Sequence, residues 1–176
     1  TPADRKTDGL LLIRESGENI ALTTLNRRSH MGVIDRKKEA DDIQHMIDLL
    51  KIKLSSPGQL AGTLSGGNQQ KLVLGKVILA DSDILLLSDP TRGIDVGTKY
   101  EIYQLVRKLA EAGKTIIFYS TENMELLGLC DRTAVLRDGQ IVALLEGEHF
   151  TEKEILQAAL GLGSGRNGGQ DENEAV

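Results

Sequence analysis

A serine, two glycines and three amide side chains stand in a row at positions 65–70, and a run of mostly apolar residues begins at Leu72. Ser65 is predicted to be the N-cap of a helix, because Asn68 stands three residues later, where the partner of a capping box is found. Gly66 and Gly67 leave no Cβ to block a close approach, and the N–H groups of a first helical turn suit a phosphate. The sequence therefore predicts a phosphate-facing helix start. The alternative is an ordinary capped helix after a flexible turn.

A second group of polar residues follows the short apolar run Ile84–Leu87. It comprises Ser88, Asp89, Pro90-Thr91-Arg92-Gly93 and Asp95. Taken with the glycine-containing segment, this group resembles the signature motif and the Walker B and D-loop region of ABC-type ATPases. The Asn-Gln-Gln after the glycines and the Thr-Arg-Gly-Ile-Asp-Val-Gly after the strand are most similar to the C-terminal nucleotide-binding half of monosaccharide (ribose-type) ABC importer subunits. The resemblance covers residues 2–161.

This resemblance implies a nucleotide held between two domains, one supplying a glycine-rich phosphate loop and the other the signature helix. The residues that would meet the γ-phosphate of the partner domain are Ser65, Gly66, Gly67, Asn68 and Gln69. For Gln69 and Gln70 a place on an exposed helix face is the alternative. No Gly-x-x-x-x-Gly-Lys-Ser/Thr motif occurs in the sequence, so we expect the chain alone to bind ATP weakly and to hydrolyse none. ATP and Mg²⁺ are expected in the complete subunit only, and no metal ligand is predicted in this chain.

The two positions at the end of the Walker B strand depart from the family pattern. Where the family has Asp-Glu, this chain has Ser88 and Asp89. Serine offers no charge to a metal's coordination shell, and Asp89 is one methylene short, which sets its carboxylate back by about 1.5 Å. A displacement of about 1 Å can cost about a hundredfold in rate. Making Asp89 the Walker B aspartate would need a deletion, because Pro90 to Gly93 matches the family's run after the Glu.

Two further positions are implied by the same resemblance. Asp95 matches the D-loop aspartate, which in the family reaches across the dimer. A helix cap before Val96 is the alternative, and both roles can coexist. Thr121 stands where the family's switch histidine would fall, and it brings no imidazole to the γ-phosphate. The nucleotide site built on this domain's own phosphate loop is therefore expected to be degenerate, with Asp89 and Thr121 at its catalytic positions.

The rest of the chain supplies the elements that position these residues. They are an amphipathic helix over Asp35–Lys51, the signature helix, a strand over Ile84–Leu87, a helix ending at Gly113, a strand over Thr115–Tyr119, a hairpin around Asp138-Gly139 and a helix over Glu152–Leu160. A continuous apolar run is typical of a parallel strand buried on both faces. Strand, helix and strand in that order give a right-handed βαβ unit. The predicted fold class is therefore α/β, with a mostly parallel sheet and a hairpin that closes it. The resemblance further implies that the chain is an incomplete ABC-type P-loop ATPase domain with a helical subdomain.

Four segments follow from these elements and the resemblance. They are a post-Q-loop segment (1–15), a helical subdomain (16–64), part of the ATPase core with signature, Walker B, D-loop and switch region (65–160), and a disordered tail (161–176). The first residue is not Met, and the first ten residues resemble a segment that lies inside the family's domain. We therefore expect the chain to be a fragment.

Composition narrows the classes of function. The chain of 176 residues carries a net charge of -5, which argues against nucleic-acid binding, since that needs clustered Lys and Arg. The single cysteine, Cys130, excludes an internal disulfide. No stretch approaches the ~18 apolar residues of a membrane-spanning helix.

The resemblance also implies a setting. A cytoplasmic protein, peripheral on the inner face of the plasma membrane, is expected from it. The expected partners are another nucleotide-binding domain, a membrane permease and, indirectly, a sugar-binding protein. ATP hydrolysis by the parent subunit would drive monosaccharide uptake. The alternatives are a non-catalytic scaffold domain that lends its signature to another ATPase and an ABC-type ATPase of DNA maintenance, which the acidic charge disfavours.

Overall fold

The computed structural model describes residues 1–162, which fall into two compact units. The first unit is Thr1–Thr121, and the second begins at Glu122. The predicted disordered tail lies outside the described residues from position 163 onward.

The first unit begins with a helical region. Its elements are a π-helical turn at Arg5–Gly9, α1 (Ser16–Ala21), a 3₁₀ segment (Leu22–Arg28), a short hairpin of β1 (Ser29–His30) and β2 (Val33–Ile34), and α2 (Arg36–Leu50). The predicted amphipathic helix is confirmed as α2. Asp35 caps its start by accepting from the N–H groups of Lys37 and Lys38, and Lys51 ends it with a φ of +50°.

The next helix, α3 (Gly66–Leu79), packs against α1 and α2. The side chains of Ile20 in α1 and Leu72 in α3 are fully buried, and Met46 of α2 is 4% exposed. Burying an aliphatic side chain of this size contributes about 1.5–3 kcal/mol relative to leaving it in water. The apolar half of α3 is therefore anchored in this core, and its N-terminus is held in a fixed place.

A parallel β-α-β arrangement completes the first unit. The strands are β3 (Ile84–Ser88) and β4 (Thr115–Tyr119), in register Ile84 to Thr115, with α4 (Val96–Glu111) between them in sequence. Both predicted strands and their parallel pairing are confirmed. The carboxyl ends of the two strands lie side by side, which brings the segments after Ser88 and Tyr119 together.

The prediction that β3 is buried on both faces is wrong for the described residues. Leu85 and Leu87 are 4% and 2% exposed, whereas Ile84 and Leu86 are 59% and 60% exposed. Alternate residues of a strand point to opposite faces. One face of the parallel pair is therefore covered within this chain, and the other is open among residues 1–162.

The second unit contains α5 (Asn123–Leu129), the strands β5 (Arg132–Arg137) and β6 (Gln140–Glu146), and α6 (Glu152–Leu160). The predicted hairpin is confirmed, with Asp138 and Gly139 both at positive φ, as a two-residue turn of type I′ requires. Within the described residues, β5 and β6 form a two-stranded sheet of their own.

The last two described residues complete the end of α6. Gly161 adopts a φ of +73°, and the N–H of Leu162 donates to the carbonyl of Gln157 at 2.8 Å. This is the hydrogen bond of a glycine-terminated helix end. No helix within residues 1–162 is both long enough and apolar enough to cross a membrane.

Candidate functional site

The start of α3 is built around Ser65. Its side chain accepts from the N–H of Asn68 at 3.4 Å, which confirms it as the N-cap. The Asn68 amide differs from a capping-box partner, because it donates to the Ser65 hydroxyl at 2.9 Å and accepts from the backbone N–H of Lys53 at 2.8 Å. Asn68 thus ties the first turn of α3 to the loop that follows α2.

Both glycines of the first turn face neighbouring groups closely. A Cβ at position 66 would lie 2.8 Å from Nη2 of Arg5, and one at position 67 would lie 2.8 Å from Oγ1 of Thr98. The first N–H groups of a helix have no acceptor within the helix. Ser65 is exposed and Gly66 partly exposed, so the helix start is open to an approaching group, whereas Gly67 is buried.

The two glutamines that follow are inside the protein. Gln69 is 4% exposed and Gln70 is 3% exposed, so their assignment to an exposed helix face is wrong. The amide of Gln69 donates to the carbonyl of Ala61 at 3.2 Å, and its Oε1 is buried with no hydrogen-bond partner among the described residues. The Gln69 amide is engaged within the chain and does not lie at the open helix start.

The residues after β3 and β4 meet at the ends of these strands. Asp89 has a φ of +41° and is 8% exposed, and its N–H donates to the carbonyl of Tyr119 at 2.9 Å. Its Oδ1 accepts from the backbone N–H of Thr121 at 3.0 Å. Two of the sequence-predicted positions are thereby brought together. The third, Ser88, is half-buried, and its N–H donates to Oγ1 of Thr1 at 3.0 Å.

Asp95 is the N-cap of α4, which is the alternative role that the sequence offers for this residue. Its Oδ1 accepts from the N–H of Thr98 at 3.0 Å, and its Oδ2 accepts from the Thr98 hydroxyl at 2.8 Å. The backbone and side-chain hydrogen bonds from Thr98 lower the pKa of the Asp95 carboxyl. Because Thr98 also lies against Gly67, it connects Asp95 to the start of α3.

Sequence reasoning missed Arg5. Its Nη1 donates to the carbonyl of Arg92 at 2.8 Å and its Nη2 donates to the carbonyl of Gly93 at 3.4 Å. A single arginine carries no spacing or periodicity signal, so no pattern pointed to it. A cleft of about 270 Å³ lies beside it, lined by Ala3, Asp4, Arg5, Lys6, Arg92 and Gly93.

Metal binding by the described residues would need a cluster of suitable side chains. Residues 1–162 contain no group of three or more His, Cys, Asp or Glu side chains that could hold a metal ion. The arrangement instead offers a helix N-terminus whose first turn can receive an anion.

Comparisons with known proteins show which family and fold this chain is similar to. Residues 7–92 match the family model described as ABC transporter. The chain is 51% identical over 161 residues to the ribose import ATP-binding protein RbsA 1 of Rhizobium johnstonii, covering 92% of this chain and 31% of that protein. It is 44% identical to the xylose import ATP-binding protein XylG of Brucella abortus (91% and 31% covered) and 45% identical to the L-arabinose transport ATP-binding protein AraG of Geobacillus stearothermophilus (88% and 30% covered). The chain thus spans less than a third of the length of these curated relatives.

Two solved structures share the fold. A dimeric post-hydrolysis state of the ATP-binding cassette MJ0796 bound to ADP and Pi superposes with a TM-score of 0.67 at 21% identity, covering 78% of this chain and 58% of that one. The dimeric structure of MJ0796, a bacterial ABC transporter cassette, gives a TM-score of 0.69 at 20% identity, covering 82% and 61%. At this identity the likeness establishes the fold, which is that of an ABC ATPase cassette.

Proposed function

Because this chain belongs to the ABC transporter family, we propose that it supplies the signature helix of an ATP-hydrolysing sugar importer. The nucleotide in this proposal is held by the phosphate loop of another domain, and the start of α3 approaches its γ-phosphate. Hydrolysis then drives the uptake of a monosaccharide, in line with the ribose, xylose and arabinose named for the relatives.

The observation that carries the proposal is the start of α3. Ser65 is exposed, Gly66 has no side chain, and the helix behind them is fixed in the core by Leu72. The positive end of a helix dipole with free N–H groups stabilises an anion such as a phosphate. The residues present fit one side of a nucleotide site, and the sequence lacks the phosphate loop needed for the other side.

ATP supplies the scissile phosphoanhydride, and Mg²⁺ neutralises charge on its phosphates. In the complete subunit this chain's share is to orient the γ-phosphate through Ser65 and the N–H groups of Gly66 and Gly67. Asn68 keeps that turn in place through its bonds to Ser65 and Lys53. Gln69 supports the start of α3 from inside the protein, because its amide donates to the carbonyl of Ala61.

We propose that the site built on this domain's own phosphate loop hydrolyses ATP poorly. Ser88 offers no charge for a metal, and Thr121 offers no imidazole. The carboxylate of Asp89 is buried and already accepts a hydrogen bond from Thr121. A carboxylate held in this way is badly placed to activate a water molecule. The same bond supports a second candidate, a scaffold domain that lends only its signature to another ATPase.

The partners that go with this function are a second nucleotide-binding domain, a membrane permease and, through the permease, a sugar-binding protein. The protein would then lie at the cytoplasmic face of the plasma membrane. A DNA-maintenance ATPase is disfavoured by the net charge of -5.

The proposal is tested with the complete subunit, reconstituted with its permease and binding protein. Gly66→Asp adds a negative charge to the first turn of α3 and a side chain that displaces the Arg5 guanidinium, so hydrolysis and sugar uptake should both collapse. Gly128→Asp is the matched control, because a Cβ there meets nothing within 4 Å. Normal uptake by Gly66→Asp would exclude the signature role.

A further inference from the structure

A single arginine connects three parts of the first unit that are far apart in sequence. The guanidinium of Arg5 is half-buried between the start of α3 and the turn that follows β3. It bonds the carbonyls of Arg92 and Gly93, at 2.8 and 3.4 Å. Its Nε is buried without a hydrogen-bond partner among residues 1–162. An unpaired buried donor lowers the free energy of unfolding, so other contacts must hold this side chain in place.

Two glycines form the walls of the slot in which this guanidinium lies. A Cβ at position 66 would meet Nη2 of Arg5 at 2.8 Å, and a Cβ at position 93 would meet it at 3.9 Å. Gly93 also has a φ of +67°, which suits glycine. Gly66 comes from the signature segment and Gly93 from the turn before the D-loop. The planar guanidinium packs closely against Gly66 because that residue carries no side chain, whereas a Cβ at position 93 would only be in ordinary van der Waals contact with it.

The backbone that carries Arg5 is itself held in place. Asp4 is the N-cap of the π-helical turn, and its Oδ1 accepts from the N–H groups of Lys6 at 2.8 Å and Thr7 at 3.3 Å. The arginine thus projects from a capped turn, so its two bonds restrain the turn at Arg92 more firmly than a side chain on a loose loop would.

We propose that Arg5 is a positioning residue that fixes the distance between the first turn of α3 and the Arg92–Gly93 turn. We call this arrangement the Arg5 clasp: the Arg5 guanidinium, its two carbonyl acceptors and Gly66. The inference rests on the proposed function, because the clasp matters for hydrolysis only if the α3 start and Asp95 act together across a nucleotide. Arg5 itself touches neither the nucleotide nor the reacting atoms in this proposal.

The clasp also gives Gly66 a second reason to lack a side chain. The far end of a long side chain can move, so a methyl group at position 66 would displace the guanidinium and leave the backbone of α3 intact. Gly66→Ala should therefore release the Arg92–Gly93 turn in the same way as Arg5→Ala. In the double variant the two effects should not add, because both remove one interaction.

The first test uses the 176-residue chain and needs no transport. Amide exchange is measured by NMR at Arg92, whose N–H donates to Asp89, and at Thr98, whose N–H donates to Asp95. Exchange at both should become about tenfold faster in Arg5→Ala, since releasing the clasp lets the turn open locally. Lys6→Ala is the matched control, because it removes a neighbouring positive charge without removing the two bonds of Arg5. It should leave amide exchange unchanged.

Each outcome of this first test either supports or overturns the clasp. Equal acceleration in Arg5→Ala, Gly66→Ala and the double variant supports the clasp. Unchanged exchange in Arg5→Ala, or acceleration of the same size in Lys6→Ala, overturns it. If Arg5→Ala does not fold, Gly66→Ala provides the same comparison with the arginine retained.

The second test measures steady-state ATP hydrolysis in the complete subunit. For Arg5→Ala we expect kcat to fall at least about tenfold, because a misplacement near 1 Å costs about a hundredfold. KM for ATP should stay within about twofold, since the partner's phosphate loop holds the nucleotide. Arg5→Lys should restore only part of kcat, because a point charge does not replace the planar fork.

The two levels of proposal fail separately. If Gly66→Asp leaves hydrolysis intact, the proposed function itself is wrong. If Gly66→Asp abolishes hydrolysis while Arg5→Ala keeps the full kcat, the signature role stands and the positioning role of Arg5 is overturned. A change in KM alone with kcat unchanged would also contradict the clasp.

Discussion

The carboxylate of Asp89 and the backbone N–H of Thr121 are joined by a hydrogen bond of 3.0 Å at the carboxyl ends of two parallel strands. A second bond, from the N–H of Asp89 to the carbonyl of Tyr119, continues the pairing of β3 and β4 by one residue. Asp89 then turns the chain with a φ of +41°. The residue at the expected catalytic position therefore acts as the link that joins the two strand ends.

This link predicts a stability effect. Asp89→Ala removes the acceptor of the Thr121 N–H, which should destabilise the chain by about 1–3 kcal/mol. Asp89→Asn should be close to wild type, because its amide oxygen can accept the same bond and asparagine tolerates positive φ. Urea unfolding of the 176-residue chain measures both. Equal losses in the two variants would show that the hydrogen bond is not what holds the strand ends.

A second prediction concerns pH and the cap of α4. The two bonds from Thr98 lower the pKa of Asp95 below its usual value of 3.8, so this carboxylate stabilises the fold above pH 3.8. The contribution is lost as pH falls through the lower, folded-state pKa. Asp95→Ala should melt at a lower temperature than wild type at pH 7, and the difference should shrink below pH 3.8.

The readout in that experiment is the difference between two melting curves across pH. Asp4 and Asp81 also have lowered pKa values. They are present in both proteins, so their effects cancel in the comparison. Asp95→Asn keeps a capping oxygen without a charge. The difference in melting temperature between Asp95→Asn and Asp95→Ala should therefore not change with pH. A difference that stays constant down to the acid transition would contradict the assigned role of the Asp95 charge.

A third prediction follows from the burial of Gln69. Gln69→Glu places a carboxyl beside the carbonyl of Ala61 in the core, where it can no longer donate once it is ionised. We expect a loss of about 1–3 kcal/mol at neutral pH, which becomes smaller in acid as the carboxyl takes up a proton. Gln104→Glu, on the exposed face of α4, is the matched control and should be neutral. Unfolding at several pH values distinguishes them, and equal behaviour would place Gln69 outside the core.

Local signals were sufficient for the caps and the strands. Ser65, Asp95 and the Asp138-Gly139 turn are recognisable because a cap or a tight turn needs a specific residue type at one position. The parallel pair was predictable from two apolar runs separated by a helical pattern.

Burial and long-range contacts were not predictable in the same way. Gln69 and Gln70 are polar, and only the packing of α3 against α1 and α2 places them inside. Ile84 and Leu86 read as buried because an apolar run does not reveal whether the chain covers both faces of a strand. Arg5 contacts residues almost ninety positions away, and no local pattern encodes such a pairing.

A fourth prediction concerns nucleotide binding by this chain alone. In the proposed function the start of α3 supplies only one side of a nucleotide site, and no phosphate loop occurs in the sequence. Calorimetry of the 176-residue chain with Mg-ATP should therefore show no saturable binding at micromolar concentrations. A single defined site of micromolar affinity would mean that the chain holds the nucleotide without a partner domain.

The last prediction separates the two nucleotide sites of the complete subunit. In the proposed function, Ser88, Asp89 and Thr121 serve the site on this domain's own phosphate loop, whereas the α3 start serves the site across the interface. Asp89→Asn alters a site that already hydrolyses ATP poorly in this proposal, so it should change the steady-state ATPase rate only a few-fold. Gly66→Asp should reduce the rate to background, because it adds a negative charge to the helix start that faces the phosphate in this proposal and displaces the Arg5 guanidinium. The two variants are compared in the reconstituted importer, with Gly128→Asp as the control for an added charge. If Asp89→Asn stops turnover as completely as Gly66→Asp does, the two sites are not unequal, and Asp89 is a working catalytic base despite its bond to Thr121.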